Sequence, residues 1–366
     1  MERNNKGLKG FLRRIDLFLL VPSLVLAAIS LSTLFSIDPI FFRQQLIVLC
    51  LALIGFLIFT RIDITLLSYS SKFIYLGIIF LLILVLIFGV EVNSSKSWFD
   101  IFGVRFQPSE AVKPFFIVVI SLFLTQKIGR RLYRFIGSLL LVFPVFFLIA
   151  KQPDLGTGII YITSSLMVIF LAGFPKRYLL LTLLGSILTI PVLFFFLADY
   201  QKQRILTFFD VTSDPTGASY NAIQSLISIG SGGFFGKGFG QGTQSLLRFL
   251  PEQHTDFIFA TISEDLGFIG SVAVLCLFVF MLYRIYKIAV NSDSKFKYLV
   301  CMGVFALFFF QILFNVGMNL GLMPVIGITL PFVSYGGSSL LSSFIALGIV
   351  SNISTENKKH QSMEIG

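Results

Sequence analysis

Residues 229–270 read IGSGGFFGKGFGQGTQSLLRFLPEQHTDFIFATISEDLGFIG, a glycine-rich polar loop that runs into a long apolar helix. Asp256 lies where the loop becomes the helix, close to His254, one of two histidines in the chain. Glycines let backbone amides approach a phosphate closely, and Lys237 and Arg248 place cations in the same loop. A carboxylate at a helix start often only stabilises the helix, but it can also accept a proton. Asp256 is therefore the first candidate for a reacting group.

The composition around this stretch predicts an all-α polytopic membrane protein. Hydrophobic residues make up 56% of the chain, charged residues 13%, and the mean hydropathy is +0.91, far outside the range of soluble domains. Apolar runs of bilayer-spanning length recur throughout, so we expect a single integral membrane domain over residues 1–366. About ten spans are predicted, at 16–36, 44–61, 73–90, 109–125, 135–150, 154–173, 178–198, 257–283, 298–320 and 334–352.

The net charge of +10 follows topology and does not indicate nucleic acid as a partner. Most lysines and arginines fall in loops on the side of the two termini, which the positive-inside rule makes cytoplasmic, where they can contact anionic lipid heads. The tails 1–15 and 353–366 are then cytoplasmic, and 199–256 forms a large extracytoplasmic loop between spans 7 and 8. The first apolar run could pass for a signal peptide, but it continues without a polar break and is interpreted as a retained span. The three cysteines lie in apolar runs and are expected to be buried small side chains.

The first outward segment, 91–110, carries the only tryptophan, Trp98, and closes on FQPSE. Trp98 is typical of an interfacial anchor. Ser109 is a plausible N-cap for the next span, with Glu110 in its first turn. Lys113 lies one turn inside that span; it can pair with Glu110 or snorkel outward, or it can bind an anionic ligand.

The other outward segments carry further candidates. Asp154, in the turn KQPDLGTG, suits a helix N-terminus, and capping alone would explain it unless the fold brings it together with Lys113 and Asp256. Arg204 lies in QKQRILTFFD, which with YNAIQSLISIG has the apolar spacing of short interfacial helices. The segment 321–337 is rich in proline and glycine at membrane depth, where irregular backbone is tolerated only if it is packed in protein or lines a cavity. It therefore favours a role as a wall of the outward cavity.

Five motifs in order carry a resemblance: FQPSE at 106–110, QPDLGTG at 152–158, GSGG with GKGFGQGTQS at 230–245, LPEQHTDFIFA at 250–260, and NVGMNLGLMPVIGITLPFVSYGGSS at 315–339. With them the chain resembles the SEDS family (shape, elongation, division and sporulation) over residues 16–351. The last motif and the short tails are more similar to its RodA branch than to its FtsW branch. One departure is SSKSW before FQPSE, where relatives often have Gly-Ala-(Lys/Arg)-Arg-Trp; it leaves the role of Lys96 open.

The resemblance implies a ten-span peptidoglycan glycosyltransferase that polymerises lipid II on the outer face of the cytoplasmic membrane, for cell elongation and shape. It also implies a class B penicillin-binding protein, a transpeptidase, as partner. The family's essential aspartate matches Asp256, and its lysine of the fourth span and QPD aspartate match Lys113 and Asp154.

The mechanistic hypothesis makes Asp256 the general base for an inverting transfer. Lys113, with Arg204 or Lys237, would neutralise the pyrophosphate leaving group, or a divalent cation (Mg²⁺ or Mn²⁺) would do so with acidic ligands. Glu110, Trp98 and His254 complete the predicted substrate site. Three alternatives stay open: a lipid II flippase or transporter, a non-catalytic scaffold for a transpeptidase, and an FtsW-type division polymerase.

Overall fold

The computed structural model describes residues 15–92, 95–101, 104–126, 130–178, 180–182, 184–185, 194, 199–210, 219–247 and 249–364. Helices dominate this part of the chain. In chain order its elements are α1 (Leu17–Ile37), α2 (Pro39–Phe59), α3 (Ile64–Tyr69), α4 (Ser71–Phe88), β1 (Val90–Val92), β2 (Ser95–Ile101), β3 (Val104–Phe106), α5 (Pro108–Ala111), α6 (Lys113–Thr125), α7 (Arg131–Lys151), α8 (Leu155–Leu171), α9 (Asp199–Phe209), α10 (Tyr220–Ser231), α11 (Thr243–Leu246), α12 (Ile258–Val290), α13 (Lys295–Asn319) and α14 (Gly337–Glu364).

The helices match the predicted spans in position. Among the described residues, seven helices are long and apolar enough to cross a bilayer, namely α1, α2, α4, α7, α12, α13 and α14, and the shorter α6 and α8 are also apolar. The predicted seventh span, 178–198, falls mostly outside the described residues, so the structure does not establish a count of ten. The predicted tail 353–366 begins inside α14, which continues as a helix to Glu364.

Two helices form the centre of the bundle. Most residues of α13 and of the apolar part of α14 are buried, whereas α4 is largely exposed and presents phenylalanines such as Phe73 and Phe88 outward. An apolar exposed face is stable in hydrocarbon, where lipid tails solvate it. The buried and exposed faces therefore distinguish the central helices from those that contact lipid.

A small antiparallel sheet interrupts the helical fold at 90–106, where the sequence predicts a loop. Its strand order is β1-β2-β3, with Val90 opposite Trp98 and Phe99 opposite Phe106. The Ser95 hydroxyl donates to the Gln152 carbonyl at 2.6 Å, which fixes the sheet against the turn between α7 and α8. The all-α class thus describes the spans, and this sheet is an addition that positions Trp98.

The helix α12 is broken at Gly267, which has φ 67° and ψ −162°. The glycine-rich loop before it supplies the missing backbone partners. Amides of Lys237 and Gly238 donate to the carbonyls of residues 264 and 265, and the amides of residues 268 and 269 donate to carbonyls of residues 233 and 234. Since the loop amides of Lys237 and Gly238 bond to the broken helix, they are not displayed as a phosphate cradle.

A buried ion pair ties three helices together at the start of α1. Asp16 caps α1 by accepting from the Phe18 amide, and its other contacts come from distant helices: Arg284 of α12 donates to it at 2.6 Å and Ser354 of α14 at 2.6 Å. A carboxylate with several donors from different elements fixes their relative position.

The cysteines are only partly as predicted. Cys301 is buried, but Cys50 and Cys276 are exposed, and all three are free thiols. Apolar runs place small side chains on the outer face of a membrane helix as readily as on its inner face, since both environments are apolar. The prediction of burial was therefore wrong for Cys50 and Cys276.

Candidate active site

A cavity of about 690 Å³ lies between the small sheet, the turn before α8, helix α9, the loop before α12, and the irregular segment that precedes α14. Five of the predicted site residues line it: Trp98, Glu110, Asp154, Arg204 and Asp256. The segment 321–337 contributes a run of lining residues from Met323 to Gly327, with Thr329, Tyr335 and Gly336, which confirms the prediction that it walls a cavity.

Asp256 belongs to the loop and does not cap the following helix. The first residue of α12 is Ile258, the N-cap position is Phe257, and the Phe257 side chain makes no capping hydrogen bond. The Asp256 carboxylate instead faces Gly327, where an added Cβ would lie 3.2 Å from Oδ2. Gly327 has φ 67°, a conformation that favours glycine. The absent side chain at 327 is thus what gives the carboxylate its space.

The surroundings of Asp256 change its acidity. Burial raises the pKa of Asp256 from 3.8 to about 7, the negative charges of Glu252 and Asp154 act in the same direction, and the Arg204 charge opposes them. A pKa near neutrality suits a group that must be ionised to accept a proton and basic enough to do so. A helix dipole alone would lower the pKa of Asp256, but burial has the larger effect and raises it.

Asp154 combines the two roles considered for it. Its Oδ1 accepts from the Thr157 amide at 3.1 Å, which confirms it as the N-cap of α8, and its Oδ2 accepts from the Gln107 side chain at 2.7 Å. Burial raises its pKa, and the Thr157 amide partly offsets that effect. Asp154 therefore caps a helix and also lines the cavity.

Glu110 and Lys113 form a buried ion pair, as expected from their spacing. Thr157 also donates to Glu110 at 3.2 Å. Lys113 is 3% exposed and is not among the lining residues, so it contacts the cavity wall through Glu110. Burial without partners is costly for either charge, which explains the pairing.

The capping role predicted for Ser109 was wrong. The N-cap of α5 is Gln107, and among the described residues the buried Ser109 hydroxyl has no hydrogen-bond partner. The Gln107 amide donates to Ser338 of α14 at 2.7 Å, so the chain enters α5 against α14. Pro108 occupies the first helical position, where its fixed φ suits a helix start.

Trp98 and Arg204 line the cavity from two different elements, β2 and α9. The sheet register places Trp98 beside Val90, and the indole lines the cavity wall. Arg204 lies on α9, and of the lining residues that the structure describes it is the one cation. Its charge acts on Asp256, so the two groups share one electrostatic environment.

Two predicted site residues lie elsewhere. Lys237 donates to Glu264 at 2.9 Å and to the hydroxyls of Ser231 and Thr243, within the loop that completes α12. His254 stacks on Phe41 with ring centroids 4.4 Å apart, and burial lowers its pKa. Neither side chain lines the cavity, and Arg248 lies outside the described residues.

Sequence reasoning missed the polar residues that support this cavity. Asn315 and Asn319 of α13 are fully buried and both donate to the backbone carbonyl of Asp256, and Gln107 holds Asp154. The available signal was two asparagines four residues apart inside an apolar run, since buried polar groups in a membrane span mark function or a required partner.

Comparisons with known proteins agree with this architecture. A family model described as cell cycle protein, FtsW/RodA/SpoVE, matches residues 11–359. The chain belongs to the FtsW/RodA/SpoVE family. Among relatives, the peptidoglycan glycosyltransferase MrdB of Escherichia coli K12 is 41% identical over 290 residues, covering 79% of this chain and 78% of MrdB. Stage V sporulation protein E of Bacillus subtilis is 37% identical over 356 residues, covering 93% of this chain and 96% of that protein.

Solved structures of family members share the fold. One is a chain from a peptidoglycan synthase complex, in a structure described as showing the structural coordination of polymerization and crosslinking. It superposes with a TM-score of 0.81 at 29% identity, covering 94% of this chain and 98% of that one. RodA of Thermus thermophilus has a TM-score of 0.72 at 28% identity, covering 94% of this chain and 97% of that one. Together with the apolar helices, these matches make the chain a multi-pass protein of the inner membrane.

Proposed function

We propose that this family member is a RodA-type peptidoglycan glycosyltransferase, which polymerises lipid II into glycan strands for cell elongation and shape. The observation that carries the proposal is Asp256, a carboxylate whose pKa is raised to about 7 in a cavity that also holds Asp154, Glu110 and Arg204. The names of the relatives support the reaction class. MrdB is a RodA protein, and its 41% identity to this chain favours the RodA type over the 38% and lower identities to FtsW proteins.

The reaction is an inverting displacement at the anomeric carbon of one lipid-linked sugar chain. The acceptor hydroxyl oxygen forms the new bond to that carbon, and its proton moves to the Asp256 carboxylate. The bond from the anomeric carbon to the phosphate oxygen breaks, and its electron pair leaves with polyprenyl pyrophosphate. One base and a cation on the leaving group are sufficient for such a displacement.

Arg204 is positioned best to bind the pyrophosphate, since it is the one lysine or arginine among the described residues that line the cavity. The guanidinium fork matches phosphate oxygens and stays charged. Lys113 acts indirectly, because its ion pair with Glu110 stabilises the negative charge of Glu110 in the cavity wall. Lys237 is paired with Glu264 away from the cavity, so we assign it no contact with substrate.

A divalent cation, Mg²⁺ or Mn²⁺, remains a prediction for the same step. The described residues contain no group of three or more His, Cys, Asp or Glu side chains arranged to hold a metal. Mg²⁺ commonly binds through one or two carboxylates together with substrate phosphates, and Asp154 in the cavity fits that mode while Asp256 stays available as the base. Such an ion would supply positive charge for the departing pyrophosphate.

The orientation and the partner follow from the same proposal. The basic loops support cytoplasmic termini by the positive-inside rule, and in this proposal the cavity and the loop 199–256 lie on the outer face. A class B penicillin-binding protein is the proposed partner, because a structural relative belongs to a complex described as coordinating polymerization and crosslinking. The lipid tails of the substrate explain why an enzyme acting on sugars lies among apolar helices.

The test is polymerisation of lipid II by the purified protein in proteoliposomes, with and without a class B penicillin-binding protein. Asp256→Asn and Asp256→Ala are expected to abolish polymer. Asp38→Asn is the matched control, because Asp38 caps α2 away from the cavity and asparagine also caps helices. Polymer formed by both Asp256 variants would remove Asp256 from the role of base.

Two further measurements separate the alternatives. Movement of labelled lipid II across sealed vesicles without polymer would favour a flippase. Cells that grow with only the Asp256→Asn protein would favour a scaffold that positions a transpeptidase.

A further inference from the structure

Two asparagines of α13, Asn315 and Asn319, lie one helical turn apart and are fully buried. Both side-chain amides donate to the same atom, the backbone carbonyl oxygen of Asp256, each at 3.0 Å. A carbonyl oxygen has two lone pairs, so these two bonds saturate it. The backbone of Asp256 is therefore held by another helix.

Asn319 is inserted into the first turn of α12. In a continuous helix the amide of Ala260 would donate to the carbonyl four residues earlier, which is that of Asp256. Here the Ala260 amide donates to Asn319 Oδ1 at 3.1 Å, and Asn319 Nδ2 donates to the Asp256 carbonyl. The side-chain amide thus separates the two groups and stops α12 from extending back over Asp256.

Asn315 joins the Asp256 loop to the segment that faces its carboxylate. The same Nδ2 that donates to Asp256 also donates to the Ile328 carbonyl at 2.6 Å, which uses both of its protons. Ile328 follows Gly327, the residue next to the carboxylate. One amide therefore sets the spacing between the carboxylate and the cavity wall.

The two preceding carbonyls are held in the same way from outside the loop. The His254 carbonyl accepts from the Tyr335 amide at 2.8 Å, and the Thr255 carbonyl accepts from the Ser334 hydroxyl at 2.6 Å. Three successive carbonyls, of residues 254 to 256, thus bond to one continuous stretch, 315–335. The path of the loop is determined by that stretch.

We propose that Asn315 and Asn319 are positioning residues for the transfer reaction: they hold the Asp256 backbone outside α12, so that its carboxylate stands beside Gly327 and faces the cavity. This inference rests on the proposed function, in which Asp256 takes the proton. Without the Asn319 amide, the Ala260 amide and the Asp256 carbonyl bond to each other, α12 gains residues at its start, and the carboxylate turns away from Gly327.

The experiment compares Asn315→Leu and Asn319→Leu with Asn352→Leu in the full-length protein. Leucine has a similar size and cannot donate. Asn352 is the matched control, since it is also buried on a central helix and donates to a backbone carbonyl, that of Thr60 at 2.9 Å, but it does not line the cavity. Initial rates of lipid II polymerisation are measured against lipid II concentration and against pH.

We expect kcat to fall on the order of 10–100-fold in Asn315→Leu and Asn319→Leu with KM nearly unchanged, because small displacements of a catalytic group cost rate more than binding. The pH midpoint of kcat/KM is expected to fall by about half a unit or more, because a displaced carboxylate is better hydrated. Asn352→Leu should leave kcat and the midpoint as in the parent.

The positioning role would be overturned if Asn315→Leu and Asn319→Leu had the kcat and the pH midpoint of the parent protein. Equal losses in Asn352→Leu would also overturn it, because they would indicate a general effect of removing a buried amide. These outcomes differ from failure of the proposed function, because in that case Asp256→Asn itself would retain polymerisation.

Discussion

Replacing Asp256 by asparagine should stabilise the protein at alkaline pH while it abolishes polymerisation. The pKa of this carboxyl is raised from 3.8 to about 7, so the folded state holds its proton over a range in which the unfolded chain has lost it. A raised carboxyl pKa has no effect on stability below about pH 4, costs stability increasingly as pH rises towards about 7, and costs a constant amount above that. Asparagine has nearly the same shape and no charge, so it removes this cost.

The magnitude follows from about 1.4 kcal/mol for each pH unit between the two pKa values, which gives an upper limit of about 4 kcal/mol. Asp256 is partly exposed to the cavity, and hydration there reduces the value, so we expect between about 1 and 4 kcal/mol at pH 8. Between pH 5 and pH 8 the advantage of the variant should grow by about 2 to 3 kcal/mol at most.

Thermal unfolding followed by the fluorescence of Trp98, the single tryptophan, measures this effect in detergent or nanodiscs. The melting temperature of Asp256→Asn is expected to exceed that of the parent by at least about 2 °C at pH 8 and by less at pH 5. Asp38→Asn provides the control for a neutralised carboxylate elsewhere. A variant that melts below the parent at pH 8, or a difference that does not change with pH, would refute the burial argument.

Three further perturbations test other contacts of the site. Lys113→Met should destabilise the fold by about 3–5 kcal/mol, because it leaves the buried Glu110 without its partner. Adding Glu110→Gln to the same chain should recover much of the lost melting temperature. An unchanged melting temperature in Lys113→Met alone would contradict the buried pair. Gly156→Ala should lower both melting temperature and polymer yield, because its Cβ would lie 2.5 Å from the Ile326 carbonyl oxygen and displace the cavity wall, whereas Gly77→Ala, with nothing within 4 Å, should behave as the parent. Lys237→Ala should lower the melting temperature without changing KM for lipid II, because Lys237 pairs with Glu264; a raised KM would return it to the substrate site.

The sequence was sufficient for the spans and for half of the site, for physical reasons that differ by residue. Apolar runs locate helices because only helices satisfy their backbone in hydrocarbon, and this placed nine of the predicted spans among the described helices. Asp154 could be recognised as a cap from its turn because capping is local. The convergence of Trp98, Glu110, Asp154, Arg204 and Asp256 depended on packing, and of these five the family resemblance supplied a match only for Asp154 and Asp256.

The remainder of the site could not be read from local patterns. Lys237 looked like a phosphate ligand because it lies among glycines, but its charge is used by Glu264, a residue 27 positions away. Asn315 and Asn319 gave a weak signal, since asparagine in an apolar run does not reveal which carbonyl it contacts. The small sheet was missed because β1 and β3 have only three residues each and the longer β2, SKSWFDI, shows no clear alternation of polar and apolar residues.

The break at Gly267 has a consequence for how α12 enters the bilayer during synthesis. Residues 268–290 are about 23 in number, or about 34 Å of helix, which is enough to cross the hydrocarbon without help. The preceding turns, 258–266, contain Glu264 and Asp265 and are too short to insert by themselves. We therefore expect the insertion machinery to recognise the later portion as a complete transmembrane segment. The earlier portion then joins the bundle afterwards, when the glycine-rich loop has folded against it.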